Sequence, residues 1–388
     1  MDSPVSCCCY VTKTGESFDE GYPQKGTNWI ESKISKKPEY RMKHTQVDPN
    51  SQQKIVSDRL EDLKPSGKKR SWNKNKGLSM IISQAYFLIS ELKRYGELIA
   101  SCGSYLKFGA CAVVAHGKKL IDANFCKARL CVMCQWRKSL VIRKQVLDLV
   151  HWHRERYSTD VPLLLTLTVV NAPGSELNKA IDQMNVAWRR LMQLKVVKRA
   201  VRSWFKSLEI TYNSDRQDFH PHFHALLMVP ASYFMKSRGL YIPHEEWLRL
   251  WRKSMRDDRI TQADIRKIKP RKEGMLEGLA AEVAKYATKP SSYIFENSEG
   301  KDETSPDVIK ELHYALKGRR LIGFGGLFNE IRKERKMVDV ENADLVRIEE
   351  DKIPCSCKIC GSTLLEELYR WDFGVRQYRK VPEEIAQP

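Results

Sequence analysis

Apolar residues recur along the middle of the chain in short runs that predict a β-sheet. The runs at 163–170, 204–212 and 222–229 have the length and composition of strands, and a further strand is predicted at about 263–268. The polar residues 213–216 separate the second run from the third and predict a turn between two paired strands. The sheet is therefore expected to contain antiparallel strands.

Apolar residues at helical spacing predict the helices that accompany this sheet. A stripe from Ile81 to Ile99 predicts a helix at about 78–99. Further helices are predicted around Ala180, Met184, Trp188 and Leu191, at 244–255, and at 275–289 before Pro290. The order strand, helix, hairpin, helix, strand, helix describes an α+β sandwich with an antiparallel sheet.

The charge of the chain indicates a nucleic-acid partner. The 67 lysine and arginine residues outnumber the 48 aspartate and glutamate residues, which gives a net charge of +19, and a field of this sign attracts phosphate backbones. Residues 291–388 have 16 basic and 19 acidic side chains, so the positive charge belongs to the segments before them. The basic residues around Trp72, Lys76 among them, are candidates for contact with DNA, but the preferred interpretation is a solvated charge run.

The apolar runs are too short for a membrane protein. None approaches the length of about 18 residues that a membrane span needs, and no basic segment precedes an apolar stretch near the start of the chain. A soluble, cytoplasmic protein is expected. In such a chain, eleven cysteines favour metal ligation or free thiols over disulfides.

The sequence His-Pro-His-Phe-His at 220–224 predicts a metal site. Alternate side chains of a strand share one face, so His222 and His224 lie on the same side of the sheet. A divalent ion that acts on phosphate needs a third, hard ligand. Glu209 is the candidate, because the predicted hairpin places its strand beside the histidine strand. His220 lies on the same face and is the alternative.

A tyrosine and two charged residues are spaced to share one face of the predicted helix 275–289. Glu282 precedes Tyr286 by four positions, and Lys289 follows it by three. A phenol is a poor nucleophile at neutral pH and needs a nearby cation or a polarised phosphate. Tyr293 is the rival nucleophile, but Pro290 interrupts the helix between the two tyrosines. A single nucleophilic tyrosine is therefore expected.

Two groups of cysteines have the spacing of zinc ligands. Cys126, Cys131 and Cys134 end in a Cys-x2-Cys knuckle, and Cys102 and Cys111 lie upstream, so five thiols are available where tetrahedral zinc takes four. The site is expected to be structural. Near the C-terminus, a second group is one ligand short of a site, which a distant residue such as Cys111 would complete: Cys355, Cys357 and Cys360.

The order of these motifs resembles that of the HUH endonucleases, and most closely the replication initiators of rolling-circle plasmids. The cysteine motif, the strand 163–170, the histidines and the Glu282-to-Tyr286 segment follow one another within roughly residues 70–330. The resemblance implies the central five-stranded sheet of the HUH fold. Among the cysteines it implies a zinc site of four ligands, with Cys111 as the alternate: Cys102, Cys126, Cys131 and Cys134.

The resemblance also implies a reaction. With Mg²⁺ or Mn²⁺ at the histidines, Tyr286 cuts one strand of the plasmid origin, stays on the 5′ phosphate and leaves a 3′ hydroxyl that primes replication. Glu282 then activates water for the terminating cut. Lys289 is a candidate for assisting the tyrosine because of its helical spacing and its charge, independently of the resemblance. The glycine-rich segment 323–326 lacks the lysine of an ATP-binding loop and is interpreted as a turn. The protein is therefore expected to depend on an ATP-driven helicase of the host. A host polymerase is a further expected partner, and a dimer is possible.

The sequence predicts that the chain is divided into four segments. The segments are a disordered arm (1–75), a helical, cysteine-rich zinc segment (76–158), the HUH nuclease domain (159–330) and a C-terminal tail with a small cysteine cluster (331–388).

Two other classes of function are alternatives to a replication initiator. One is a zinc-containing nucleic-acid-binding protein without catalysis, which would not explain the Glu-x3-Tyr helix. The other is a transposase or relaxase, neither of which fits the length and the cysteine motif together.

Overall fold

The computed structural model describes most of the chain from residue 58 onwards. The described residues are 58–64, 66–113, 116–268, 278, 280, 284, 290–297, 300, 302–348 and 356–382. Residues 1–57 and most of the predicted helix 275–289 lie outside them.

The described residues form eight helices and eleven strands. The helices are α1 (Trp72–Phe87), α2 (Lys93–Ser101), α3 (Val132–Arg156), α4 (Gly174–Gln193), α5 (Lys195–Ala200), α6 (His244–Met255), α7 (Pro306–Leu316) and α8 (Leu327–Glu334). The strands are β1 (Tyr105–Ala110), β2 (Lys118–Ala123), β3 (Val161–Thr168), β4 (Ser203–Asn213), β5 (Asp218–Val229), β6 (Ala263–Lys267), β7 (Phe295–Glu296), β8 (Asp302–Glu303), β9 (Ile322–Gly326), β10 (Leu365–Asp372) and β11 (Gln377–Lys380). Short 3₁₀ segments lie at Ser90–Leu92, Ala231–Phe234, Lys236–Arg238 and Pro290–Ser292.

Five strands form the central sheet in the order β6-β3-β5-β4-β9, and every neighbouring pair is antiparallel. One face packs on α4 and α6, where Trp188 and Trp251 contact the ring of Phe223. The other face packs on α3, where His153 Nδ1 lies 2.9 Å from Ser203 Oγ. Because both faces are covered, the middle strand β5 is buried along most of its length. The predicted α+β class with an antiparallel sheet is confirmed.

A second sheet was not predicted. It has four strands in the order β11-β10-β1-β2, all antiparallel. The register pairs Tyr105 with Arg370 and Ala110 with Leu365. The sheet thus joins residues from the predicted zinc segment with residues from the predicted C-terminal tail.

The residues before and within α1 pack into the protein. Trp72 is 2% exposed, and its Nε1 donates a hydrogen bond to Asp62 Oδ2 at 2.8 Å. Lys76 is fully buried, so the interpretation of this lysine as part of a solvated charge run is wrong. The helix predicted at 78–99 is divided into α1 and α2 by the 3₁₀ segment Ser90–Leu92.

The described helices differ from membrane-spanning segments. None of them combines the length and the apolar character that crossing a bilayer requires.

Candidate metal centres

One face of the central sheet carries a carboxylate beside two imidazoles. The register pairs Glu209 of β4 with His222 of β5, and His224 follows two residues later on the same face. Glu209 Oε2 lies 3.0 Å from His224 Nε2 and 3.6 Å from His222 Nε2. Ligand atoms at about 2.1 Å from one octahedral ion lie about 3.0 Å apart. The three side chains are therefore spaced to bind one metal ion.

Hydrogen bonds at Nδ1 leave the Nε2 atoms of both histidines facing Glu209. His222 Nδ1 lies 3.1 Å from the backbone carbonyl oxygen of His220, and because a carbonyl only accepts, this bond requires the proton on Nδ1. His224 Nδ1 lies 3.2 Å from Thr166 Oγ1 of β3. A metal-ligating histidine is usually oriented by such a bond at its other ring nitrogen. Thr166 was not predicted from the sequence to have this role.

The Glu209 carboxylate is buried and one of its oxygens lacks a hydrogen-bond donor. The residue is 6% exposed. No group among the described residues donates to Oε2 in hydrogen-bonding geometry, although both imidazoles lie close. Burial raises the pKa of Glu209, but the adjacent His222 and His224 lower that pKa by more, so the net shift is downward. An ionised, buried oxygen without a donor fits a cation site.

His220, the alternative third ligand, has another partner. Its Nδ1 lies 2.7 Å from Asn171 Oδ1, and Asn171 Nδ2 donates to Asp218 Oδ1 at 3.0 Å. Burial and the neighbouring His222 lower the pKa of His220. Among the described residues, the ligand atoms that lie within 4.8 Å of one another here include the Glu209 carboxylate and not His220. The geometry therefore favours Glu209 as the third ligand.

Four cysteines form a separate cluster between α2 and the start of α3. Cys134 Sγ lies 3.5 Å from Cys102 Sγ and 3.8 Å from Cys126 Sγ, and Cys131 completes the group within 4.8 Å. Sulfur atoms at about 2.3 Å from a tetrahedral zinc ion lie about 3.8 Å apart. The structure brings together the four cysteines that the resemblance selected, at distances that fit zinc.

A backbone N–H donor and a buried ammonium group lie near these sulfur atoms. The backbone N–H of Lys127 donates to Cys134 Sγ at 3.1 Å. The buried Lys76 Nζ donates to the carbonyl oxygens of Ala100 at 2.6 Å and Cys102 at 2.7 Å. Burying an ammonium group costs several kcal/mol unless negative charge lies nearby. Four thiolates around one dication carry a net charge of −2, so an occupied site would balance Lys76.

Cys111 lies apart from this cluster. Its Sγ is 3.5 Å from Cys360 Sγ, and Cys357 and His116 lie in the same group. The distances therefore do not support Cys111 as the alternate ligand of the first cysteine cluster. Cys355 lies outside the described residues.

The proposed tyrosine motif lies outside the described residues, and this applies to Glu282, Tyr286 and Lys289. The chain just after the motif contacts the sheet: the backbone N–H of Tyr212 in β4 donates to Ser292 Oγ at 3.2 Å. Tyr212 follows Glu209 by three positions in β4, and Ser292 follows Tyr286 by six in the sequence.

Tyr293, the rival nucleophile, is buried. The residue is 1% exposed, and its backbone carbonyl accepts a hydrogen bond from Thr304 Oγ1 at 2.5 Å. A phenol enclosed in this way does not meet a DNA phosphate without rearrangement. The structure therefore favours the single-tyrosine interpretation.

Comparison with known proteins identifies the family. A family model described as "Replication protein" matches residues 117–379. The Protein rep of Streptococcus pneumoniae serotype 2 is 35% identical over 292 residues, which are 75% of this chain and 88% of the relative. The Protein rep of Bacillus amyloliquefaciens is 35% identical over 340 residues, 82% of this chain and 96% of the relative. The chain belongs to this family of replication proteins.

The family match covers most of the candidate residues of this replication protein. It contains the histidine motif and the tyrosine motif, and it reaches the C-terminal hairpin β10–β11. A third relative, the Protein rep of a Bacillus species, is 38% identical over 266 residues, 65% of this chain and 84% of the relative. The predicted resemblance of the chain to rolling-circle plasmid replication initiators is confirmed. No solved structure gives a significant match.

Proposed function

We propose that this replication protein is an HUH-type endonuclease and strand transferase that nicks plasmid origin DNA to start and to end rolling-circle replication. The observation that carries the proposal is the convergence of Glu209, His222 and His224 on one face of a five-stranded antiparallel sheet. An ordinary pair of strand histidines would not need a buried, ionised carboxylate oxygen between them.

The donor set fits a hard divalent cation. Two neutral imidazole nitrogens and one carboxylate oxygen suit Mg²⁺ or Mn²⁺ when water or phosphate oxygens complete the coordination. When bound, such an ion polarises the scissile phosphate. The three side chains are fixed by strand pairing and by hydrogen bonds to Thr166 and His220, so they need no reorganisation before DNA binds.

The chain itself supplies the nucleophile in this proposal. The Tyr286 phenol oxygen forms a bond to phosphorus while the bond from phosphorus to the 3′ oxygen breaks; the phenol loses its proton and the 3′ oxygen gains one. The product is a 5′ phosphotyrosine with a free 3′ hydroxyl. Lys289 would favour the developing phenolate by its charge. Water activated by Glu282 would serve the terminating cut.

Basic side chains provide a surface for DNA outside the central five-stranded sheet. A cavity of about 630 Å³ lies beside α3 and the strands β1 and β2. Its lining includes Arg70, Lys119, Arg143, Lys144 and Arg347. A concave surface of this charge fits the sugar-phosphate backbone.

We further propose that Cys102, Cys126, Cys131 and Cys134 bind a structural zinc ion. All four coordination positions come from the protein, as in sites that stabilise a fold and do not catalyse. The ion would fix α2 against the start of α3 and so support the nuclease domain. A host helicase, a host polymerase, a dimer and a cytoplasmic location stay predictions.

The proposed reaction is tested by incubating the purified protein with labelled single-stranded oligonucleotides from the origin and with Mn²⁺. We expect a covalent protein–DNA adduct that survives denaturation and carries the label 3′ to the nick. DNA binding without any adduct, on every strand and with either metal, would instead support a binding protein without catalysis.

Glu282→Ala should separate initiation from termination. The variant keeps the phenol and the metal ligands, so the first nick should proceed at nearly the wild-type rate. Loss of a general base costs roughly 10²–10⁴-fold in the step that it serves, so covalent and over-replicated products should accumulate. The measurement is a plasmid assay that scores initiation and accurate termination separately.

Glu277→Ala is the matched control for this prediction, because it removes a carboxylate five positions earlier in the same segment. It should leave both steps intact. Wild-type termination in Glu282→Ala would mean that this glutamate only contributes helix stability, which is worth about 0.2–0.5 kcal/mol for a surface pair. Equal loss of both steps would assign it to positioning Tyr286.

A further inference from the structure

Three thiols and one imidazole meet at one end of the strands of the four-stranded sheet. Cys111 follows β1, His116 precedes β2, and Cys357 and Cys360 lie in the turn before β10. Cys111 Sγ lies 3.5 Å from both His116 Nδ1 and Cys360 Sγ, and Cys357 Sγ lies 3.5 Å from His116 Nδ1. All four ligand atoms lie within 4.8 Å of one another.

These distances fit a tetrahedral zinc site. With zinc–sulfur bonds of about 2.3 Å and a zinc–nitrogen bond of about 2.05 Å, sulfur and nitrogen ligands lie about 3.6 Å apart and two sulfurs about 3.8 Å apart. We propose that Cys111, His116, Cys357 and Cys360 bind a second zinc ion, separate from the Cys102 cluster. Because the protein supplies all four ligands, the site is structural.

Two local turns orient these four side chains towards one another. The backbone N–H of Val113 donates to Cys111 Sγ at 3.4 Å, which would stabilise a thiolate there. On the opposite side, the backbone N–H of Gly361 donates to the carbonyl oxygen of Cys357 at 2.8 Å. Gly361 has φ +75°, a left-handed conformation that favours glycine. This tight turn folds the Cys-x2-Cys segment back so that both sulfurs face Cys111.

The site lies where the two halves of the second sheet meet. The last residue of β1, Ala110, pairs with Leu365 of β10 and with Lys118 of β2. Apolar side chains around this end provide little core: Leu365 and Ile359 are each 65% exposed. A metal site can replace hydrophobic burial in a small substructure of this kind. The second zinc ion would therefore hold the C-terminal hairpin to β1 and β2.

The test is the zinc content of protein purified without chelator. The wild type should contain about two zinc ions per chain, one in each closed site. Cys360→Ser should lose one of them, and Cys131→Ser should lose the other. Cys355→Ser is the matched control in the C-terminal motif and should keep both.

Cobalt substitution covers the case in which a ligand variant folds poorly. Cys360→Ser loses a ligand, whereas His116→Cys replaces the imidazole by a thiol and should keep the metal. With Co²⁺ in both sites, the wild-type visible spectrum is the sum of a tetrathiolate site and a three-sulfur, one-nitrogen site. In His116→Cys the second contribution should be replaced by that of another tetrathiolate. An unchanged spectrum would overturn the assignment of His116.

Two other results would overturn the proposal. Zinc content equal to the wild type in both Cys360→Ser and His116→Ala would exclude the site. A Cys111–Cys360 disulfide in the freshly purified protein, seen by non-reducing mass spectrometry, would mean that these cysteines form a disulfide and do not bind zinc. None of these readouts depends on DNA cleavage, so failure of the nicking proposal and failure of this one are distinguishable.

Discussion

Replacement of Tyr286 by phenylalanine is expected to abolish formation of the covalent DNA adduct. The change removes only the oxygen that would bond to phosphorus, and loss of an enzymatic nucleophile lowers the rate by roughly four orders of magnitude or more. Affinity for the uncleaved origin strand should change little, because the ring remains. The measurement pairs adduct formation on a labelled oligonucleotide with a binding titration on the same strand.

Tyr293→Phe is the control for this prediction. It makes the same chemical change seven positions later, at a residue that is 1% exposed, and should retain adduct formation. Adduct formation by Tyr286→Phe together with its loss in Tyr293→Phe would reverse the assignment. Loss in neither variant would mean that the nucleophile is another side chain.

The part of the fold that local sequence patterns determine was predicted well. The strands expected at 204–212 and 222–229 appear as β4 and β5, and the helix expected at 244–255 is α6 with the same bounds. A short connection between adjacent antiparallel strands fixes their register. For this reason Glu209 was expected beside the histidine strand, and the register pairs it with His222.

The four-stranded sheet was not predictable in the same way. Its central pair joins β1 with β10, which are about 260 residues apart in sequence, and a local pattern does not identify so distant a partner. The strand β2 has no fully buried position, so it lacks the alternation that predicts a half-buried strand. The C-terminal residues were therefore expected to form a tail.

The Cys111 cluster shows the same limit at the level of a site. The sequence contains two incomplete halves, Cys111 with His116 and Cys357 with Cys360, and only the pairing of β1 with β10 brings them together. His116 was not predicted as a ligand, although its Cys-x4-His spacing from Cys111 is compatible with a metal site. In contrast, the spacing of Cys131 and Cys134 predicts a zinc site directly, because both ligands lie in one short Cys-x2-Cys knuckle.

The burial of Lys76 also depends on tertiary structure. Its neighbours in sequence are basic and polar, which favours a solvated position. Two carbonyl acceptors at the end of α2 and four nearby cysteines provide the compensation that allows an ammonium group to be buried. None of these partners is visible in the pattern around Lys76 itself.

Removal of either histidine ligand is expected to eliminate metal-dependent cleavage. His222→Ala and His224→Ala each remove one of three protein ligands, and the electrophilic assistance of a metal ion is worth several kcal/mol in the transition state. A loss of about 3–4 kcal/mol corresponds to a rate reduction of about 10²–10³-fold, since each factor of ten is about 1.36 kcal/mol. The measurement is the initial rate of oligonucleotide cleavage over a Mn²⁺ titration, with circular dichroism to verify the fold.

Three further variants decide which ligands matter. His151→Ala removes an exposed histidine from α3 and should cleave at the wild-type rate. Glu209→Gln keeps the shape of the carboxylate but removes its charge, so cleavage should recover in part at high Mn²⁺ because the loss is one of metal affinity. If His220→Ala lost as much activity as His222→Ala while Glu209→Gln lost none, His220 would be the third ligand. Cleavage by the wild type that persists in excess chelator would remove the metal from the reaction altogether, and the buried carboxylate between two imidazoles would then need a different explanation.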